Sequence, residues 1–123
     1  MKRRILIIDD DRSVAEIFRL TLIAEGYEAD VAYNGGEGLQ KALTGNYALV
    51  HTDLQIPILH GVDVIQRIAV DRPQQPVVVV TGYLDDEIKR ELDAVPNVVG
   101  CFEKPVDPAL YSGFVRSVVE GGL

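Results

Sequence analysis

The sequence has few of the residues that mark secreted, membrane-spanning or metal-cluster proteins. Of its 123 residues only one is cysteine and two are histidine, and tryptophan is absent. The single cysteine, Cys101, cannot form a disulfide within the chain, which is typical of a reducing compartment. No apolar run is long enough for a signal peptide or a membrane-spanning helix. We therefore expect a cytoplasmic protein that makes no contact with a membrane.

Basic residues are also in short supply. Twelve lysines and arginines stand against nineteen aspartates and glutamates, which gives a net charge of -7. This excess of negative charge disfavours adhesion to nucleic acid or anionic lipid, so we expect no direct contact with nucleic acid. Hydrophobic residues make up 47% of the chain, enough for one compact core, and we expect a single domain over residues 1–123.

Aliphatic residues, by contrast, are abundant and form short uninterrupted runs. Runs at 5–8, 47–50 and 77–80 do not alternate with polar residues, which is typical of strands covered on both faces. Weaker strands are predicted at 28–33 and 98–102, and segments with helical spacing lie between and after the strands. Alternation of strands and helices predicts an α/β sandwich around a parallel sheet, because crossovers of this length join parallel strands.

Turn and cap residues divide the helical segments from one another. Gly26 and Gly45 are expected to end the first two helices. The fourth helix is expected to include Leu84 and to end before Pro96. Asp107 is the expected N-cap of the last helix.

Polar residues stand directly after the strongest strands and after the fifth. They are Asp9 and Asp10 after the first strand, Asp53 after the third, Thr81 after the fourth and Lys104 after the fifth. Ligands of open parallel sheets bind outside the carboxyl ends of the strands, so we expect these side chains to converge there. Clustered carboxylates suit a hard divalent cation such as Mg²⁺, and a lysine with a hydroxyl suits a phosphoryl group. Asp11 is expected to be solvated or to cap the first helix.

Four motifs on successive strands give this sequence its resemblance to a known family. They are IIDDD at 7–11, DLQIPILHG at 53–61, VVVVTG at 77–82 and FEKP at 102–105. With these motifs the chain resembles a response-regulator receiver domain, the phosphoacceptor half of two-component signalling. The resemblance extends from Ile5 to about Val119. It implies a flavodoxin-like (βα)5 fold with strand order 2-1-3-4-5.

The resemblance also implies a role for each polar residue. Asp53 would be the nucleophile that takes a phosphoryl group from a sensor histidine kinase or a histidine phosphotransfer protein. Thr81 and Lys104 would contact the phosphoryl oxygens. The implied Mg²⁺ ligands are Asp9, Asp10, Asp53 and the main-chain carbonyl of Gln55. Such a protein is no enzyme beyond its own phosphorylation and dephosphorylation, and it switches conformation to control a downstream partner that the sequence does not identify.

Some positions depart from the commonest pattern of the family. His51 replaces an aliphatic residue, and we expect it to be half-buried with a local partner. His60 is expected to be a surface residue. Cys101 stands where the family commonly has an aromatic ring, and strand alternation places Phe102 on the opposite face.

Two other interpretations are open at this point. A phosphatase of the haloacid dehalogenase type also uses an aspartate nucleophile with Mg²⁺, but it needs a second acid two residues later, where this chain has Gln55. A degenerate receiver would act as an interaction module without phosphorylation. Cys101 is the reason to consider it, although the positions required for the chemistry are intact.

Overall fold

The computed structural model describes residues 2–121 as a parallel sheet with helices on both faces. The strands are β1 (Arg4–Ile8), β2 (Glu28–Ala32), β3 (Leu49–Thr52), β4 (Val77–Thr81) and β5 (Val98–Glu103). The helices are α1 (Arg12–Ala24), α2 (Gly35–Thr44), α3 (Gly61–Asp71), α4 (Asp86–Asp93) and α5 (Pro108–Val119). The sheet order is β2-β1-β3-β4-β5, with every pair parallel, so the predicted architecture and strand order are confirmed.

The sheet separates the core into two layers because successive side chains of a strand point to opposite faces. In β1, Ile5 and Ile7 belong to the layer beneath α1 and α5. Leu6 and Ile8 belong to the layer beneath α2, α3 and α4. All four side chains are completely buried, which explains why this strand shows no alternation with polar residues.

Every helix begins at a residue whose side chain accepts a hydrogen bond from a free main-chain amide of the first turn. These N-caps are Asp11, Asn34, His60, Asp85 and Asp107. The expected caps at Asp11 and Asp107 are therefore confirmed. Gly26, with a φ of 96°, follows α1, and Gly45 is the C-cap of α2, both as predicted.

Two predicted boundaries are wrong by two residues, and others differ by a single residue. The third strand runs over Leu49–Thr52 rather than 47–50, because its pairing with β1 begins where Leu49 faces Ile5. Tyr47 lies before the strand, where its buried hydroxyl donates to Asp30 at 2.8 Å. The fourth helix begins after its cap Asp85, so Leu84 lies outside it.

No helix within residues 2–121 is long and apolar enough to cross a membrane.

Candidate functional site

The carboxyl edge of the sheet brings together the acids that follow β1 and β3. The amide of Asp9 donates to Ala32 at 3.0 Å, and the amide of Asp53 donates to Ile8 at 2.9 Å. These bonds continue the strand pairing by one step on each strand. Asp9 and Asp53 are consequently held by the sheet itself, and both are buried.

Lys104 bridges these two carboxylates. Its Nζ donates to Asp9 Oδ2 and to Asp53 Oδ2, each at 2.7 Å. The amide of Lys104 donates to the carbonyl of Thr81 at 2.8 Å, which joins the end of β5 to the end of β4. The peptide bond from Lys104 to Pro105 is cis.

Two carboxylates and one ammonium, from Asp9, Asp53 and Lys104, leave a net negative charge in a largely buried site. Burial raises the pKa of Asp9, and its hydrogen bond to Lys104 only partly offsets this effect. Burial alone would lower the pKa of Lys104, but its hydrogen bonds to Asp53 and Asp9 outweigh the effect of burial and raise it. The lysine therefore stays protonated and is shared between two acids. A second positive charge would be stabilised beside them.

Main-chain amides fix the remaining oxygen of each carboxylate. Asp9 Oδ1 accepts from the amide of Asp11 at 2.9 Å, and Asp53 Oδ1 accepts from the amide of Gln55 at 3.1 Å. The amide that meets Asp53 belongs to the exposed Gln55. The orientation of the Asp53 carboxylate is thus set by the main-chain amide of Gln55 together with the ammonium of Lys104.

Thr81 contributes a buried hydroxyl with an unused hydrogen-bonding capacity. Its Oγ1 has no hydrogen-bond partner among the described residues, although the side chain is completely buried at the end of β4. A buried hydroxyl without a partner costs about 1–3 kcal/mol. An anion placed at the carboxyl edge would remove this cost by accepting a hydrogen bond from the hydroxyl.

The carboxylates at this edge are oxygen ligands of the kind that Mg²⁺ prefers, although their side chains are not yet grouped around a common point. Asp10 is exposed beside the buried Asp9, so both a fixed and an adjustable carboxylate are present. Across residues 2–121 no three acidic, histidine or cysteine side chains are already clustered as a metal site. The ammonium of Lys104, which bonds both Asp9 and Asp53, supplies the positive charge there.

The loop between β3 and α3 packs tightly behind Asp53. A Cβ on Gly61 would lie 2.3 Å from the carbonyl oxygen of Asp53, so only glycine permits this approach. Within the loop Ile58 has a φ of 74°, and the amide of Leu59 donates to the carbonyl of Pro57 at 2.8 Å. This is a γ-turn, a strained arrangement for a β-branched residue.

His51 differs from its prediction. It is completely buried rather than half-buried, and burial lowers its pKa to about 3. Its partner is distant in sequence: Nδ1 lies 2.8 Å from the hydroxyl of Tyr111. The signals available in the sequence were a histidine in an apolar strand and a tyrosine on the inward face of the last helix.

The other two residues that differ from the commonest family pattern, His60 and Cys101, lie where the sequence predicted. His60 is exposed, and in addition its Nδ1 accepts from the amide of Val62 at 3.2 Å. Cys101 packs on the layer beneath α2, α3 and α4, whereas Phe102 packs on the opposite layer against Phe114.

Comparison with known proteins identifies the family. Residues 5–112 match the family described as the response regulator receiver domain, and the chain belongs to it. The transcriptional regulatory protein YkoG of Bacillus subtilis, named as uncharacterized, is 39% identical over 81 residues. The response regulator ArlR of Staphylococcus haemolyticus is 33% identical over 81 residues. Each match covers 66% of this chain and 36% of the relative, so the chain spans about a third of these curated proteins.

Solved structures agree with this assignment. A CheY-like response regulator receiver domain from Methanospirillum hungatei JF-1 has a TM-score of 0.93 and 27% identity, and the match covers 98% of this chain and 96% of that one. The response regulator TrrA from Thermotoga maritima, solved in complex with Mg²⁺ and BeF, has a TM-score of 0.84 and 28% identity. That match covers 94% of this chain and 98% of TrrA. The flavodoxin-like fold is therefore confirmed.

Proposed function

We propose that the chain accepts a phosphoryl group on Asp53 and changes conformation in response. The observation that supports this most is the arrangement around Asp53: its carboxylate is oriented by the Gln55 amide and bonded to Lys104. Close by along the same edge, Thr81 has a buried hydroxyl without a partner among the described residues. A nucleophile, a fixed cation and a free donor are what transfer of a phosphoryl group to a carboxylate requires.

The donor we propose is a phosphohistidine on a sensor histidine kinase or a histidine phosphotransfer protein. A carboxylate oxygen of Asp53 forms a bond to phosphorus while the nitrogen–phosphorus bond breaks, and the electron pair of that bond stays on the histidine nitrogen. Lys104 and Thr81 then contact the phosphoryl oxygens. Turnover is limited to the protein's own phosphorylation and dephosphorylation, because Gln55 cannot act as the second acid of a phosphatase.

Mg²⁺ is the cofactor that we propose, held by Asp9, Asp10, Asp53 and the main-chain carbonyl of Gln55. When bound, it would neutralise charge on the transferring phosphoryl group. The similar response regulator TrrA supports the choice of metal, since it was solved in complex with Mg²⁺ and BeF. The chain's own contribution is to hold Asp9 and Asp53 in fixed orientations through main-chain amides.

The cellular setting is part of the same proposal. We place the protein in the cytoplasm as a single receiver domain over residues 1–123. It would act on a downstream protein without contacting nucleic acid itself. One of the named relatives, YkoG, is a transcriptional regulatory protein, so an effector that binds nucleic acid agrees with this assignment, and the prediction concerns only the present chain.

Labelling by a small acyl phosphate tests the proposal. The protein is incubated with acetyl phosphate and Mg²⁺, and its intact mass is measured over time. We expect one added phosphoryl group in the parent and none in Asp53→Asn. Asp71→Asn is the matched control, because Asp71 is an exposed acid at the far end of α3.

Three results separate the competing interpretations. Stoichiometric labelling supports the phosphoacceptor. Rapid consumption of acetyl phosphate with little retained label would indicate a phosphatase. A folded parent that takes no label would indicate an interaction module that works without phosphorylation.

A further inference from the structure

Three rings that play no part in the proposed chemistry meet in the buried layer behind the site. They are Phe18 on α1, His51 on β3 and Tyr111 on α5. His51 and Tyr111 are completely buried, and Phe18 is nearly so. We call these residues the three-ring cluster.

Each element that contributes to the three-ring cluster is also attached to a charged residue of the site. Helix α1 begins shortly after Asp9, strand β3 ends directly before Asp53, and α5 begins shortly after Lys104. A change in the bonds among these charged groups therefore acts on the three elements that meet at the cluster. The cluster is one place behind the site where side chains of all three elements are in contact.

The contacts within the cluster are directional. The centroids of the Phe18 ring and the His51 ring are 4.7 Å apart, with the planes at 74°. Phe18 lies equally close to Tyr111, with centroids 4.7 Å apart. His51 Nδ1 and the hydroxyl of Tyr111 share a hydrogen bond of 2.8 Å, so β3 and α5 are joined by a polar bond inside an apolar layer.

The polar pair is poorly explained by stability alone. His51 Nε2 is buried and has no hydrogen-bond partner among the described residues. An aliphatic side chain facing a phenylalanine would avoid this unsatisfied atom, and such apolar replacements of buried pairs are often neutral or stabilising. The histidine and the tyrosine thus add a directional link between β3 and α5 that the fold does not need in order to form.

We propose that the hydrogen bond between His51 and Tyr111 transmits phosphorylation of Asp53 to α5, so that the α1–α5 side of the molecule responds to the phosphoryl group. This inference rests on the proposed function of Asp53. The added group changes the bonds of Lys104 and Asp53. The end of β3 shifts with Asp53, and His51, two residues earlier, passes the shift to Tyr111.

Hydrogen exchange with and without acetyl phosphate and Mg²⁺ tests this route, with labelling of Asp53 measured on the same samples by intact mass. In the parent we expect phosphorylation to change exchange in the amides of 111–119. In Tyr111→Phe the ring remains but the hydroxyl is lost. The phosphorylation-dependent change at 111–119 should then fall about fivefold, the loss expected for one hydrogen bond, while labelling stays complete.

Tyr27→Phe is the matched control. Its hydroxyl also bonds to a residue at the end of α5, Glu120, but at the opposite edge of the sheet from the site. This variant should keep the full response of α5 to phosphorylation. The double variant His51→Leu with Tyr111→Phe should respond no less than Tyr111→Phe alone, because both changes remove the same bond.

Each outcome decides between the proposals. A Tyr111→Phe protein that is fully labelled and keeps the parental response in α5 overturns the inference and leaves the function of Asp53 intact. An equal loss of response in Tyr27→Phe also overturns it, because the effect would then be general to α5. A parent that takes no label at Asp53 overturns the proposed function, and the inference fails with it.

Discussion

Replacing Lys104 by methionine should destabilise the fold while keeping most of the length of the side chain. The change removes the cation that bonds Asp9 and Asp53 at 2.7 Å each and leaves two buried acids facing one another. Removing one partner of a buried ion pair costs about 3–5 kcal/mol. Because the Lys104 side chain is 20% exposed, water screens part of this effect. We therefore expect a loss of about 3 kcal/mol, at the low end of that range.

Urea unfolding followed by circular dichroism measures this loss. The set comprises the parent, Lys104→Met, Asp53→Asn and the double variant. The double variant should be more stable than Lys104→Met by about 1–2 kcal/mol, because one of the two repelling charges is gone. Lys89→Met, on the exposed face of α4, is the control and should stay within about 0.5 kcal/mol of the parent.

Two results would refute this expectation. If Lys104→Met unfolds at the same urea concentration as Lys89→Met, the lysine does not compensate buried acids. If the effects of Lys104→Met and Asp53→Asn simply add, the two groups do not interact in the folded protein.

Three further predictions concern the loop behind the site, two buried tyrosines and the metal. Ile58 is strained by its positive φ and 81% exposed, so Ile58→Asn should raise the free energy of unfolding by about 1 kcal/mol, whereas Val70→Asn, at a similarly exposed helical position, should leave it nearly unchanged because valine and asparagine have similar helix propensities. Burial raises the pKa of both Tyr27 and Tyr47 to about 12. Their contribution to stability is therefore present below pH 10 and lost between about pH 10 and 12. In Tyr27→Phe and Tyr47→Phe the free energy of unfolding should fall less over this pH range than in the parent. Millimolar Mg²⁺ should raise the thermal midpoint of the parent by mass action and leave Asp10→Ala unchanged; an unchanged parent would argue against the metal site.

The layered α/β fold and the location of Asp9 and Asp53 at one edge of the sheet were predictable from sequence because both follow from strand ends. Uninterrupted aliphatic runs indicate strands buried on two faces, and the residue after such a run lies at the carboxyl edge. That is why the sequence alone assigns Asp9 and Asp53 to one edge of the sheet. The sequence pattern gives the edge on which a residue lies but not the rotamer of its side chain.

The features that were missed depend on tertiary contacts or on strain. The bridge from Lys104 joins residues far apart in sequence, and so does the bond between His51 and Tyr111. His51 is also fully buried instead of half-buried, like the rest of β3. No local pattern encodes such pairs. The positive φ of Ile58 was also unpredictable, because β-branched residues rarely adopt that conformation.

Locating the phosphoryl group at a single residue tests the central claim most directly. Protein labelled by acetyl phosphate and Mg²⁺ is treated with sodium borohydride, which reduces an aspartyl phosphate to homoserine, and is then digested and sequenced by mass spectrometry. We predict homoserine at position 53 and aspartate at positions 9 and 10. Homoserine at position 9 or 10, or a folded and labelled protein with aspartate retained at 53, would contradict the assignment of Asp53 as the phosphoacceptor.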